Sequence, residues 1–280
     1  MRKLLSANLY RLVRSRIFYA MGILSFGCGL ICYGIAAYNA HAIGTPWLVT
    51  NAHALFWLQA FLLPVQLALF ACFFLGTEYS DGTIRCKIST GHRRSCIWLA
   101  SFFTVYLAGA AFSLLYSAAA VLVGLPLAGQ EVLTQVSAQP WRIGNFALAM
   151  AVYAALFTAA SLTDENKARN VVVCLAIAAG MMILGFAVYR QLIQPPYIQY
   201  AWQELDGSIT FTQGPPNPDY LTGPRRQVLH WLCRLLPQGA AVLSLDKELG
   251  FDWLCPLTSL AMALSLGVVG MVTFQRKNIR

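Results

Sequence analysis

No Asp, Glu, Lys or Arg occurs in residues 17–77, a run of 61, and none in residues 96–130. Runs of this length are too long to be core strands or core helices of a soluble domain. A bilayer can bury them, because a helix of about 20 apolar residues crosses the ~30 Å hydrocarbon layer. Only 11% of the 280 residues are charged and 58% are hydrophobic, whereas soluble domains carry about a quarter charged. The mean hydropathy of +0.59 agrees. Two soluble domains, which the length alone would allow, are excluded on these grounds.

The apolar runs predict six spans, at 17–38, 53–75, 97–127, 143–162, 171–189 and 253–274. Breaks fall at Gly44 and Pro46, and near Pro126 and Gly129. The expected fold is an all-α membrane protein, with residues 1–280 forming one transmembrane domain. The basic start leads into a full-length span without a convincing cleavage site, so it reads as a retained helix and not a cleaved signal peptide. An even number of spans places both termini on one side.

Lys and Arg set the orientation, because cytoplasmic loops carry the excess. With both termini inside, the cytoplasmic segments hold Arg2, Lys3, Arg11, Arg14, Arg16, Arg85, Lys87, Arg93, Arg94, Lys167, Arg169, Arg276, Lys277 and Arg280, fourteen of the twenty basic residues. Five of the other six flank or lie in the long segment 190–252, and long segments count weakly. The chain is therefore expected to be a multi-pass protein of the cell membrane with cytoplasmic termini. The net charge of +9 follows from this topology, and nucleic acid is not an expected partner.

Two further segments stand out. Leu4, Leu5, Leu9, Leu12 and Val13 recur at helical spacing, which fits either an amphipathic helix on the inner membrane surface or a plain basic anchor. Residues 225–236 and 240–249 have weak helical patterning. Together with the prolines of 191–224 they suggest an outer helical cap between spans five and six.

Little here points to catalysis. No charged residue lies deep in a span, which argues against a proton relay. His41, His53, His92 and His230 are scattered and no HExxH pair occurs. Asp164 and Glu165 read as a solvated turn. The eight cysteines form no CxxC pair and fit small apolar residues in packed helices, although Cys233 and Cys255 could meet as an outer disulfide. Glycines and alanines such as Gly22, Gly27, Gly29, Ala108, Gly109, Ala110 and Ala111 suit close helix packing within the chain or at a dimer seam. The phosphate-binding pattern GxxxxGK[ST] is absent, so any ATP-driven work needs a nucleotide site on another polypeptide. No enzyme activity and no bound cofactor or metal are expected.

Between spans two and three lies a polar island, "GTEYSDGTIRCKISTGHRRS". Gly82 can turn the chain and Asp81 is placed to cap a helix starting at Thr83. With the residues that follow it, "GTEYSDGTIRCKISTGHRRSCIWLASF" resembles the segment between helices two and three of type-2 ATP-binding-cassette (ABC) exporter permeases. The matching residues are Glu78, Tyr79, Gly82, Thr83, Arg85, Gly91 and Arg94. The start "LLSANLYRLVRSRIFY" is similar to that family's inner-surface connecting helix, and "LCRLLPQGAAVLSL" resembles a Leu-Pro-x-Gly stretch ahead of its last helix.

The resemblance covers essentially the whole chain. It implies a six-helix subunit that pairs with a second permease, identical or not, and docks on cytoplasmic ATPase subunits that bind ATP and Mg. The island would be a short coupling helix seated in the ATPase. Glu78, Tyr79, Asp81, Gly82, Thr83, Arg85, Gly91, Arg93 and Arg94 are the coupling residues expected on that basis. Arg93 and Arg94 fit equally well as positive-inside anchors. The implied cargo is hydrophobic or amphipathic, with a peptide antibiotic as one class, and an ion exporter of the same architecture is a further possibility. A second reading is a membrane sensor or binding protein without transport activity. An ATPase encoded next to the chain would favour the first reading, and a kinase or regulator there would favour the second.

Overall fold

The structure, a computed structural model, describes residues 1–43, 55–128, 140–164, 166–192, 194–203, 209–237, 239 and 253–277. The expected helices at 240–249, Glu165 and His53 lie outside the described residues.

Helix α1 (Arg2–Arg14) leads into α2 (Arg16–Ile43). Then come α3 (Gln59–Ser80), the short α4 (Thr83–Ser89), α5 (Arg94–Ala128), α6 (Pro140–Thr163) and α7 (Lys167–Leu192). Strands β1 (Tyr197–Gln203) and β2 (Ile209–Pro216) follow, then α8 (Pro224–Leu235) and α9 (Leu254–Arg276). Six of these helices, α2, α3, α5, α6, α7 and α9, are long and apolar enough to cross a membrane. They coincide with the six expected spans. Helix α5 ends at Ala128, at the break expected near Pro126 and Gly129, with Pro126 inside it. In its last turn the missing N–H of proline costs a single hydrogen bond.

Helix α3 is the axis of the bundle. Of its most apolar stretch 67% is buried, against 22% for α2 and α7 and 17% for α9. It packs on α5, α6 and α7, while α9 lies along α6 and α2 along α5. Lipid tails are as apolar as leucine, so close van der Waals contact and not hydrophobic burial holds such helices together. Phe70 and Phe74 stack at 5.0 Å between ring centroids, and Phe112 meets Phe70 edge-on at 5.7 Å. Small residues set the closest crossings. A Cβ on Gly270 would stand 2.7 Å from that of Ala159, and one on Gly29 would stand 2.8 Å from that of Ala119.

The fold departs from the expected all-α design between α7 and α8. The segment expected to form a helical cap begins with an antiparallel hairpin, pairing Gln199 with Gln213, Ala201 with Phe211 and Gln203 with Ile209. Ile198, Tyr200 and Trp202, and then Ile209 and Phe211, place aromatic or β-branched residues at alternate positions on either side of Asp206 and Gly207. That is a strand and turn signal, and the surrounding prolines masked it. The hairpin is followed by the helix α8, Pro224–Leu235. Cys233 and Cys255 are both buried and no disulfide joins them, and burial pushes the Cys233 thiol up to about 12.

Candidate functional site

The island folds as one unit at the end of the bundle that carries the termini. α3 closes with Asp81 N–H donating to Thr77 O at 2.9 Å and Gly82 N–H to Tyr79 O at 3.1 Å. Gly82 has φ +66°, the left-handed conformation that a Cβ disfavours. It ends one helix and is the N-cap of the next. Thr83 Oγ1 donates to Glu78 O at 3.0 Å and straps the turn. Helix α4 then runs for seven residues and stops at Gly91, φ +83°. There His92 N–H bonds to Lys87 O and Gly91 N–H to Ile88 O, the paired bonds of a Schellman cap.

Ile84 pins α4 downward, being only 1% exposed within the core. The stronger tie is Glu78. Its side chain is fully buried, and Oε1 accepts from Arg11 Nη1 at 2.6 Å and from Lys87 Nζ at 2.7 Å. Arg11 also donates to Phe74 O at 2.7 Å and lies 3.9 Å over the Phe74 ring. Lys87 also donates to Asn8 Oδ1 at 3.0 Å. One carboxylate thus joins α1, α3 and α4. The buried residues of α1 are Leu4, Asn8 and Leu12, one stripe at i, i+4, i+8. Helix α1 turns that stripe onto protein.

A second tie reaches the C-terminus. Tyr79 O–H donates to Leu162 O. Lys277 Nζ donates to Tyr79 Oη at 3.2 Å and to Leu162 O at 3.4 Å. Arg94 Nη1 donates to Gln275 O at 2.8 Å and also to Lys277 O, a cation on the carbonyl end of α9 where the helix dipole favours it. Nearby, Asn166 Oδ1 accepts the backbone N–H groups of Ala168 and Arg169 and caps α7. The Arg169 guanidinium, forked on Asp164 with one contact of 2.7 Å, holds that carboxyl down to about 2.

The expected coupling residues therefore divide. Glu78 faces inward, and Tyr79 and Arg94 are half-buried in ties to neighbouring segments. Gly82, Thr83 and Gly91 shape the turns. Asp81, Arg85 and Arg93 are exposed. Asp81 does not cap α4, because the cap position falls on Gly82 and no side chain bonds there. Asn8, Arg11 and Lys277 belong to the site and were not singled out for it from the sequence. A usable signal was present: an acid with no topological purpose needs a cation, and Asn8 interrupts an otherwise leucine stripe.

At the far end of the bundle a groove of about 830 Å³ opens between Leu58 and Phe61 on one side and Met182, Ile183 and Phe186 of α7 on the other. The lining combines these apolar side chains with the polar Arg190, Gln194 and Asp219.

The chain matches no model of a known protein family, and no curated protein matches it.

Proposed function

We propose that the chain is the membrane-spanning permease subunit of an ABC exporter, moving a hydrophobic or amphipathic substrate with ATP hydrolysed by a separate subunit. The observation that carries this reading is the seat of α4. A seven-residue helix between two membrane spans would not by itself transmit force. This one is tied by Glu78 to α1 and α3, and the same face is tied by Tyr79 and Arg94 to α6 and α9. A push on α4 would reach several spans at once. Arg85 on α4, with Asp81 and Arg93 on either side of it, would meet the ATPase, where rim charges set orientation more than affinity. The termini and island would face the cytoplasm, as the basic residues require.

The groove suits an amphipathic cargo, such as a peptide antibiotic, that keeps its polar part against Arg190, Gln194 and Asp219. It would equally hold a ligand for a sensor, the second reading. Co-purification decides between them. With its candidate ATPase, the native chain should form a complex that hydrolyses ATP. Arg85→Glu with Arg93→Glu should weaken that complex while leaving the fold intact, and Glu78→Ala or Gly82→Pro should uncouple turnover or break association. If no ATPase is retained, or all these variants leave assembly and turnover unchanged, the sensor reading replaces the permease.

A further inference from the structure

Helix α8 has three distinct faces at 100° per residue. Leu229 and Cys233 form the first. They pack with Val188 and Leu192 at the end of α7, and Arg226 Nη2 donates to Leu192 O at 3.2 Å beside them. Thr258 Oγ1, in the first turn of α9, donates to Arg234 O at 2.8 Å. The second face is polar, with Gln227, His230 and Arg234. The third carries Val228, Trp231, Leu232 and Leu235 within an arc of about 100°, and these are 57%, 51%, 38% and 48% exposed.

This is the reverse of α1, whose Leu4 and Leu12 are buried in protein. α8 docks through one narrow face and leaves its main apolar stripe open. Its level in the molecule is fixed, because its docking partners are the last residues of one span and the first turn of another. The open stripe lies at the level where α9, a helix long and apolar enough to cross a membrane, begins to expose Leu257, Leu260 and Leu264. Trp231 lies 5.3 Å beneath the Arg234 guanidinium, and Trp253 is 60% exposed nearby. Tryptophan collects at the headgroup boundary of bilayers, and an arginine there reaches lipid phosphate.

We propose that α8 is a membrane-interface helix that binds phospholipid in the leaflet remote from the termini. Val228, Trp231, Leu232 and Leu235 enter the top of the acyl region, Arg225 and Arg234 contact phosphate oxygens, and Gln227 and His230 face water. The bilayer then holds the hairpin segment, which adjoins α8 in sequence, beside the groove. This reading goes beyond transport and holds for either orientation of the chain.

The test uses tryptophan fluorescence of the full-length protein in phosphatidylcholine nanodiscs, with or without bromine near the top of the acyl chains. The component lost in Trp231→Phe should fall at least about twofold in brominated lipid, as expected at headgroup depth, and should resist aqueous iodide. In the Trp231→Phe background, Val228→Trp should restore a bromine-quenched component, and Gln227→Trp should add one quenched by iodide. A Trp231 component quenched by iodide alone would place the stripe in water. Quenching by neither agent would mean that protein covers it, either a second copy or other residues of this chain. Either result overturns the proposal.

Discussion

Removing the Glu78 carboxylate should be the most damaging single change on the terminal face. Glu78→Ala leaves Arg11 and Lys87 side by side without their shared anion. Breaking a fully buried pair costs about 3–5 kcal/mol, most of it from the stranded charge. Here the stranded cations are 31% and 16% exposed, and Phe74 O and Asn8 Oδ1 remain as acceptors. Those outlets reduce the cost to about 2–3 kcal/mol. For a chain of 280 residues that is a fall in Tm of about 3–5 °C. The buried thiols Cys72, Cys174 and Cys233 allow a thiol-reactive dye to follow thermal unfolding of the purified protein in detergent. A double-mutant cycle with Lys87→Met separates the ion pair from lost packing, and coupling of about 1–3 kcal/mol is expected. Unfolding of Glu78→Ala within about 1 °C of wild type, or strict additivity with Lys87→Met, would refute the assignment of Glu78 as the tie between these helices.

Gly82→Ala should cost about 1–2 kcal/mol from the left-handed φ alone, read by the same dye. Gly270→Ala should cost about 1–3 kcal/mol by overpacking, because its Cβ would meet a helix-borne Ala159 Cβ at 2.7 Å that has little room to yield. The Asp164 carboxyl drops from its ordinary 3.8 to about 2 in the folded chain. Its contribution is complete above about pH 4 and is lost as pH falls through 2. The Tm of Asp164→Asn should therefore lie below wild type at neutral pH and converge with it in acid. Cys86 is exposed on the terminal face. A membrane-impermeant maleimide should label it in inside-out vesicles and not in intact cells, and the opposite pattern would reverse the proposed orientation.

Run length and composition determined the spans. An unbroken apolar stretch of about 20 residues has few ways to satisfy its backbone in lipid other than as a helix, so the six long helices follow from local sequence. The glycines at 82 and 91 likewise marked the two turns of the island, because the left-handed conformation excludes most other residues. The hairpin was only faintly legible, its alternation being short and enclosed by prolines.

The sequence marked Glu78 as an acid in need of a cation, but its partners were not legible. Arg11 lies 67 residues away from it and Lys277 lies 198 residues from Tyr79, and nothing in local pattern states which cation meets which acid. The same uncertainty covers the two amphipathic helices. Each has an apolar stripe, and only the surrounding helices decide that α1 turns its stripe onto protein while α8 leaves its own exposed. Periodicity says that a face exists. What lies against that face is set by the packing of spans distant in sequence, because burial and ion pairing depend on neighbours that only the folded bundle brings together.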